Sequence, residues 1–262
     1  MDITSLGYRT DLLLLALAGT ELTDKGEYVV VRTPANPTFW WGNYLLFRTP
    51  FGPGDTARRV EMFERTFPDA KHGAFGIDST EGVVGAEDEL AAAGFSVERS
   101  TVMTASAVRE PARPNTTLQY RFLTSDDDWE QLVGLTLASS PMEIGGYNDF
   151  VRRKVLAERK LVEDGHAKWF GAFDGERLQA SLGLVSDGSG VARFQNVQTH
   201  PDERSRGLAS TLVHRASTYG LSELGARTLV MVADPEYLAI RLYRALGFTD
   251  SETQIQLTKP SP

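Results

Sequence analysis

The sequence predicts a mixed α/β (α+β) protein built as two lobes, each around a mixed sheet. Three observations carry that expectation. An apolar, aromatic run at residues 191–197 leads through a tight basic turn into an amphipathic stretch, with Leu208, Leu212, Val213, Ala216 and Tyr219 at three- and four-residue spacing. A continuous apolar run at 226–234 then precedes a second helical pattern at 236–248, in which Ala239, Leu242, Tyr243 and Leu246 share a face and Gly247 supplies a left-handed stop. The same order of strand, turn, helix, strand, short helix and Gly-Phe occurs earlier in the chain. Residues 48–57 lie opposite 199–209, 75–79 opposite 230–234, and 91–104 opposite 244–258.

In chain order, a buried helix is expected at 10–18 and a strand at 27–32. Pro34 and Pro37 interrupt the chain before the aromatic run 39–47, read as a buried strand face. A Gly/Pro turn with Asp55 as N-cap opens a helix, a strand follows at 72–78, a helix at 86–93 and a strand at 96–104. Residues 109–117, with two prolines and little apolar content, suit a linker between lobes at 1–110 and 118–262. Beyond it come a strand at 118–124, a helix capped by Ser125 with Asp126, Asp127 and Asp128 in its first turn, a loop at 139–147, a helix at 148–164, and a hairpin of strands 167–174 and 178–185 turning at Asp174–Gly175.

Composition narrows the function classes. The 262 residues carry 27 basic against 35 acidic side chains, a net charge of −8 that disfavours nucleic acid as a partner. There are no cysteines, and the four histidines stand at no metal-ligand spacing, so no metal site is expected. No apolar run approaches the roughly 20 residues of a membrane span. The short run 12–18 loosely mimics a signal segment, but Asp2 and Asp11 cancel the required positive charge. A cytoplasmic location without membrane association is expected.

The turn before the helix at 208 points several backbone N–H groups and a helix N-terminus at one spot, which suits an anion. Arg204 and Arg206 flank it, and Gly207 removes a side chain where a phosphate would approach. The hexad Arg204-Ser205-Arg206-Gly207-Leu208-Ala209 resembles Arg/Gln-x-x-Gly-x-Gly/Ala, the pyrophosphate loop of the GNAT acyltransferase superfamily. Ala239, Tyr243, Gly247 and Phe248 are similarly placed to that family's second signature, Asn-x-x-Ala-x-x-x-Tyr-x-x-x-Gly-Phe. The resemblance implies a GNAT fold over about 118–259 and a degenerate GNAT-like lobe before it. That first copy has Gly52 and Gly54 but no arginine equivalent to Arg204, and Leu90 where Tyr243 would stand, so it reads as catalytically inactive.

The activity implied is transfer of an acetyl group from acetyl-CoA to the amine of a small molecule or peptide. By resemblance, the backbone of Val197, Gln198 and Thr199 would meet the pantetheine arm. The amides from Arg204 through Ser205, Arg206, Gly207, Leu208 and Ala209 to Ser210 would hold the pyrophosphate, and Tyr243 would protonate the leaving sulfur. Asn196 and Glu143, the latter in the loop between two helices, are candidates for acceptor binding; His200 reads as a turn residue rather than a base. Two departures matter. Glu236 replaces the usual asparagine, and the strand before the loop offers Gln195, Asn196 and Gln198 but no glutamate for a base. Two further readings stand beside the transferase: a non-catalytic acyl-CoA sensor or scaffold, and a tandem transferase of the mycothiol-synthase kind.

Overall fold

The computed structural model describes residues 1–142 and 145–260, and by contacts the chain falls into two units that are not sequential. Unit 1 comprises Met1–Val102, Val232–Pro235 and Asp250–Pro262; unit 2 comprises Met103–Met231 and Glu236–Thr249. The segment expected to link the lobes, residues 109–117, lies within unit 2.

Unit 1 begins with helix α1 (Leu6–Leu17), four residues earlier than its apolar run suggests. Charge explains the early start. The Ser5 hydroxyl accepts from Tyr8 N–H, while the Glu252 carboxylate accepts from Leu6 and Gly7 N–H, satisfying amides that a helix start leaves bare. Strand β2 (Tyr28–Arg32) pairs antiparallel with both β1 (Glu21–Asp24) and β3 (Asn43–Phe47), and β3 pairs parallel with β4 (His72–Ile77). Strand β1 is not expected from the sequence, because its four mostly exposed residues carry no alternation. The aromatic run 39–47 divides into a 3-10 turn at Trp40–Gly42 and the fully buried β3. Helix α2 (Asp55–Thr66) and helix α3 (Glu87–Ala92) flank β4, and β5 (Ser96–Ala105) follows. The chain's last strand, β11 (Thr249–Pro260), pairs antiparallel with β4. Its apolar residues Ile255 and Leu257 are fully buried with Phe75 and Ile77 of that strand.

Unit 2 is a sheet of β10 (Thr228–Ala233), β9 (Val191–Thr199), β8 (Arg177–Val185), β7 (Ala167–Asp174) and β6 (Gln119–Phe122), in that order. All pairs are antiparallel except β9 with β10. Helices α4 (Asp126–Ser139), α5 (Tyr147–Glu163) and α6 (Leu208–Ser222) cover it, and α7 (Ala239–Ala245) lies near the end. Side-chain alternation assigns faces: Trp169 meets Trp129 of α4, whereas the next residue, Phe170, meets Tyr219 of α6. Helix α7 begins three residues later than the sequence pattern implies, since Glu236, Tyr237 and Leu238 are exposed after Pro235.

Asp128 locks the entry to α4. Its carboxylate takes both Arg121 amino groups at 2.7 Å and the N–H groups of Thr124 and Ser125, completing a reciprocal cap with the Ser125 hydroxyl. The Arg121 hydrogen bonds hold its pKa well below the usual carboxylate range. The unfolded chain, with a pKa of about 3.9, therefore binds the proton first as pH falls. The stabilisation is complete above that value and fades below it. Asp128→Asn is expected to cost about 2 kcal/mol at pH 7, because one charge of a mostly buried pair is lost. Urea unfolding of both proteins should show the gap narrowing from pH 5 to pH 2; a constant gap would mean the capping geometry, not the charge, stabilises α4.

Candidate functional site

The site grows from β9. Its parallel register with β10 covers only Val191–Arg193 against Thr228–Val230, so from Phe194 onward β9 has no register partner on that edge. On the other side the pairing with β8 is Gly183 with Gln195 and then Ser181 with Gln198. Two residues, Asn196 and Val197, thus stand opposite one, a β-bulge that re-aims the backbone at the parting strands. Asn196 sits at φ +47°, a left-handed conformation that asparagine tolerates better than most residues.

The side chains of this stretch turn toward the α4–α5 face. The Asn196 amide donates to Glu158 Oε1 on α5, and Lys154 Nζ lies 3.1 Å from the same oxygen. Gln198 donates to the Thr136 hydroxyl at 3.1 Å and accepts from the Ser139 hydroxyl at 3.0 Å. Glu158 is a buried carboxylate bonded to the bulge residue Asn196, and it was not among the residues the sequence singles out. Nothing in its local pattern distinguishes it from the other charged residues of a helix rich in them.

After Thr199, His200 caps a 3-10 turn at Pro201–Glu203; its Nδ1 accepts from Asp202 N–H at 3.4 Å. That structural role matches the reading of His200 as a turn residue. Arg204 donates to the Ser139 carbonyl at 3.4 Å, and Arg206 is paired with Glu203. Ser205 at φ +63° and Gly207 at φ +78° bend the loop into α6. The Gly207 carbonyl accepts from the Thr211 hydroxyl at 2.8 Å and the Ser210 hydroxyl at 3.0 Å. Leu208 anchors the helix with its side chain in the core. The N–H groups of Gly207, Leu208, Ala209 and Ser210 have no partner among the described residues. Four converging bare donors at the positive end of a fifteen-residue helix suit an anionic diphosphate.

The linker gives Gly207 a second reason beside the one its sequence suggests. A Cβ there would stand 2.6 Å from the Arg113 carbonyl oxygen, so the position is held open for the linker backbone.

Tyr243 lies buried on α7, its ring against Phe248, which in turn meets Phe194 of β9. Burial raises its pKa well above that of a free tyrosine, so the hydroxyl is protonated at any physiological pH. Glu143 lies outside the described residues. A cavity of about 600 Å³ is elsewhere in unit 2, lined by Tyr120, Phe122, Phe170, Arg215 and Tyr219, and touches no residue of the Arg204–Ser210 loop. Among the described residues no group of three or more His, Asp or Glu could hold a metal ion, and no helix is long and apolar enough to cross a membrane.

The first copy of the loop is built differently. Gly52 N–H donates to Asp55, and Gly54 N–H donates to the Glu89 carboxylate at 2.9 Å. The buried Arg59 guanidinium stacks on Phe47 and Phe51 and donates to the carbonyls of Thr49 and Pro50. Two amides of this loop, those of Gly52 and Gly54, are thus taken by the chain's own carboxylates.

Comparison with known proteins agrees with this geometry. The model of the acetyltransferase (GNAT) family matches residues 129–248. No curated protein matches the sequence. Among solved structures, a functionally unknown conserved protein from Staphylococcus epidermidis ATCC 12228 is similar with a TM-score of 0.77 at 11% identity, covering 94% of this chain and 96% of its own. A GCN5-related N-acetyltransferase from Kribbella flavida gives 0.68 at 15% identity, covering 98% and 97%. A tandem GNAT protein from the clavulanic acid biosynthesis pathway gives 0.55 at 16%, covering 79% and 68%. At these identities the likeness shows the fold, and the family match adds the lineage. Residues 129–248 thus match the acetyltransferase (GNAT) family, whose members are acetyl-CoA-dependent acyltransferases.

Proposed function

We propose that the chain moves an acetyl group from acetyl-CoA to the amine of a small molecule or peptide, with the donor held by unit 2 alone. The observation that supports it most is the set of bare N–H groups from Gly207 to Ser210 at the start of α6. In this reading Arg204 and Arg206 add positive charge to the diphosphate site, and the β9 edge at Val197, Gln198 and Thr199 offers backbone groups to the pantetheine arm. Acetyl-CoA supplies the acyl group as a thioester. The acceptor amine, with a pKa of about 10.4 if it is an alkyl ammonium, must lose a proton before its nitrogen attacks the carbonyl. As the C–S bond breaks, Tyr243 gives its hydroxyl proton to the departing sulfur, the attached nitrogen releases its extra proton to solvent and a solvent proton restores the phenol, so the products are an amide and free thiol. Glu158 is balanced by Lys154 and held by Asn196, which suits fixing the bulge better than accepting that proton. Asn196 remains the candidate for touching the acceptor.

The acidic groups occupying the first copy's loop support its reading as a non-catalytic lobe. Calorimetric titration of acetyl-CoA into the full chain tests the proposal. One saturable site per chain is expected, weakened by Arg204→Ala; no binding at millimolar acetyl-CoA would overturn it. Binding without turnover on any amine would favour the sensor instead.

A further inference from the structure

The linker contacts the phosphate loop, and no part of the proposed reaction uses it. Asn115 is the point of contact. Its side-chain amide donates to the Arg206 carbonyl at 3.1 Å, and its own N–H donates to the Thr211 hydroxyl at 2.8 Å. That hydroxyl donates in turn to the Gly207 carbonyl at 2.8 Å. The Asn115 side chain is itself fixed, because its Oδ1 accepts from the N–H groups of Thr117 and Leu118, each at 3.2 Å.

A peptide unit is planar and trans, so its C=O and N–H point in opposite directions. Fastening the Arg206 oxygen to Asn115 therefore turns the Gly207 N–H away from the linker. Fastening the Gly207 oxygen to Thr211 does the same for the Leu208 N–H. These are two of the four bare donors. Donors set in advance bind an anion better than donors that must be ordered on binding. We propose that Asn115 is a positioning residue for the diphosphate of acetyl-CoA, acting through Thr211 and the loop carbonyls. The linker is then a working part of the donor site, and the proposal rests on the donor-site reading above.

The test titrates acetyl-CoA and ADP into the full-length wild type, Asn115→Ala and Thr211→Val. ADP carries the diphosphate without the pantetheine arm. Both variants should weaken both ligands by the same factor, about tenfold for the loss of one orienting contact. They should also move the phosphorus-31 resonances of bound ADP, which a purely structural role would leave in place. Wild-type affinity for both ligands in Asn115→Ala would overturn the inference and leave the donor site standing. Failure of the wild type to bind either ligand would overturn both. Should Asn115→Ala fail to fold, Thr211→Val decides, since valine fills the same space without the hydroxyl.

Discussion

Tyr243→Phe is expected to lower kcat about 10²-fold and to leave acetyl-CoA affinity within about twofold of wild type. The ring keeps its place against Phe248, so only the hydroxyl is lost. Burial has two opposed effects on that hydroxyl. It ensures that the proton is present across the working pH range, because the pKa is raised above that of a free tyrosine. It also makes the group a weaker acid toward a thiolate, whose parent thiol has a pKa of about 8.5. The second effect places the expected loss at the lower end of what general acids contribute. Steady-state kinetics with the best amine of a screen, paired with calorimetry, separates the terms. A large rise in Kd with unchanged kcat would mean that Tyr243 packs the donor site and transfers no proton. The pH profile adds a second check. The wild-type rate should climb with pH as the amine deprotonates, without a falling limb below pH 9, because the phenol does not ionise there.

How much of this was legible beforehand follows from the range of each signal. The loop at 204–210 and the helix behind it were readable because strand, turn and helix are local features with fixed spacing. Tyr243 was readable for the same reason, through its distance to Gly247. Glu158 was not, since its meaning lies in a hydrogen bond to Asn196, 38 positions away. Asn115 sat in a segment that composition marked only as a linker, and its partners are 91 and 96 positions distant. The partner of the last strand was not legible either: residues 250–260 read as a strand, and in the structure they pair with β4 and group by contacts with unit 1. A strand's pattern says that one face is buried, not which neighbour covers its edge. The first copy's inactivity was inferred from a missing arginine and tyrosine. In the structure Asp55 and Glu89 also accept from two amides of that loop, those of Gly52 and Gly54, a feature that spans 35 positions in the second case.

Gly207→Ala should be the most damaging single substitution of the loop, and Gly146 provides its internal control. Both glycines cap the start of a helix with nearly equal backbone angles, φ +78° and +81°. An alanine in that conformation costs roughly 1–2 kcal/mol at either position. At Gly146 nothing among the described residues lies within 4 Å of the new methyl, so the backbone strain is the expected effect. At Gly207 the methyl would stand 2.6 Å from the Arg113 oxygen, a backbone atom that no rotamer change can remove. Relieving that overlap adds about 1–3 kcal/mol, for a total of about 2–5. It also pushes the linker away from the loop, which loosens the Asn115 contact to Arg206. Urea unfolding of both variants measures the difference directly, and acetyl-CoA titration reads its consequence. Gly207→Ala should lose stability and donor affinity together, whereas Gly146→Ala should lose only stability. Equal losses in the two variants would show that the linker yields without resistance, and the glycine would then be required for its backbone angle alone.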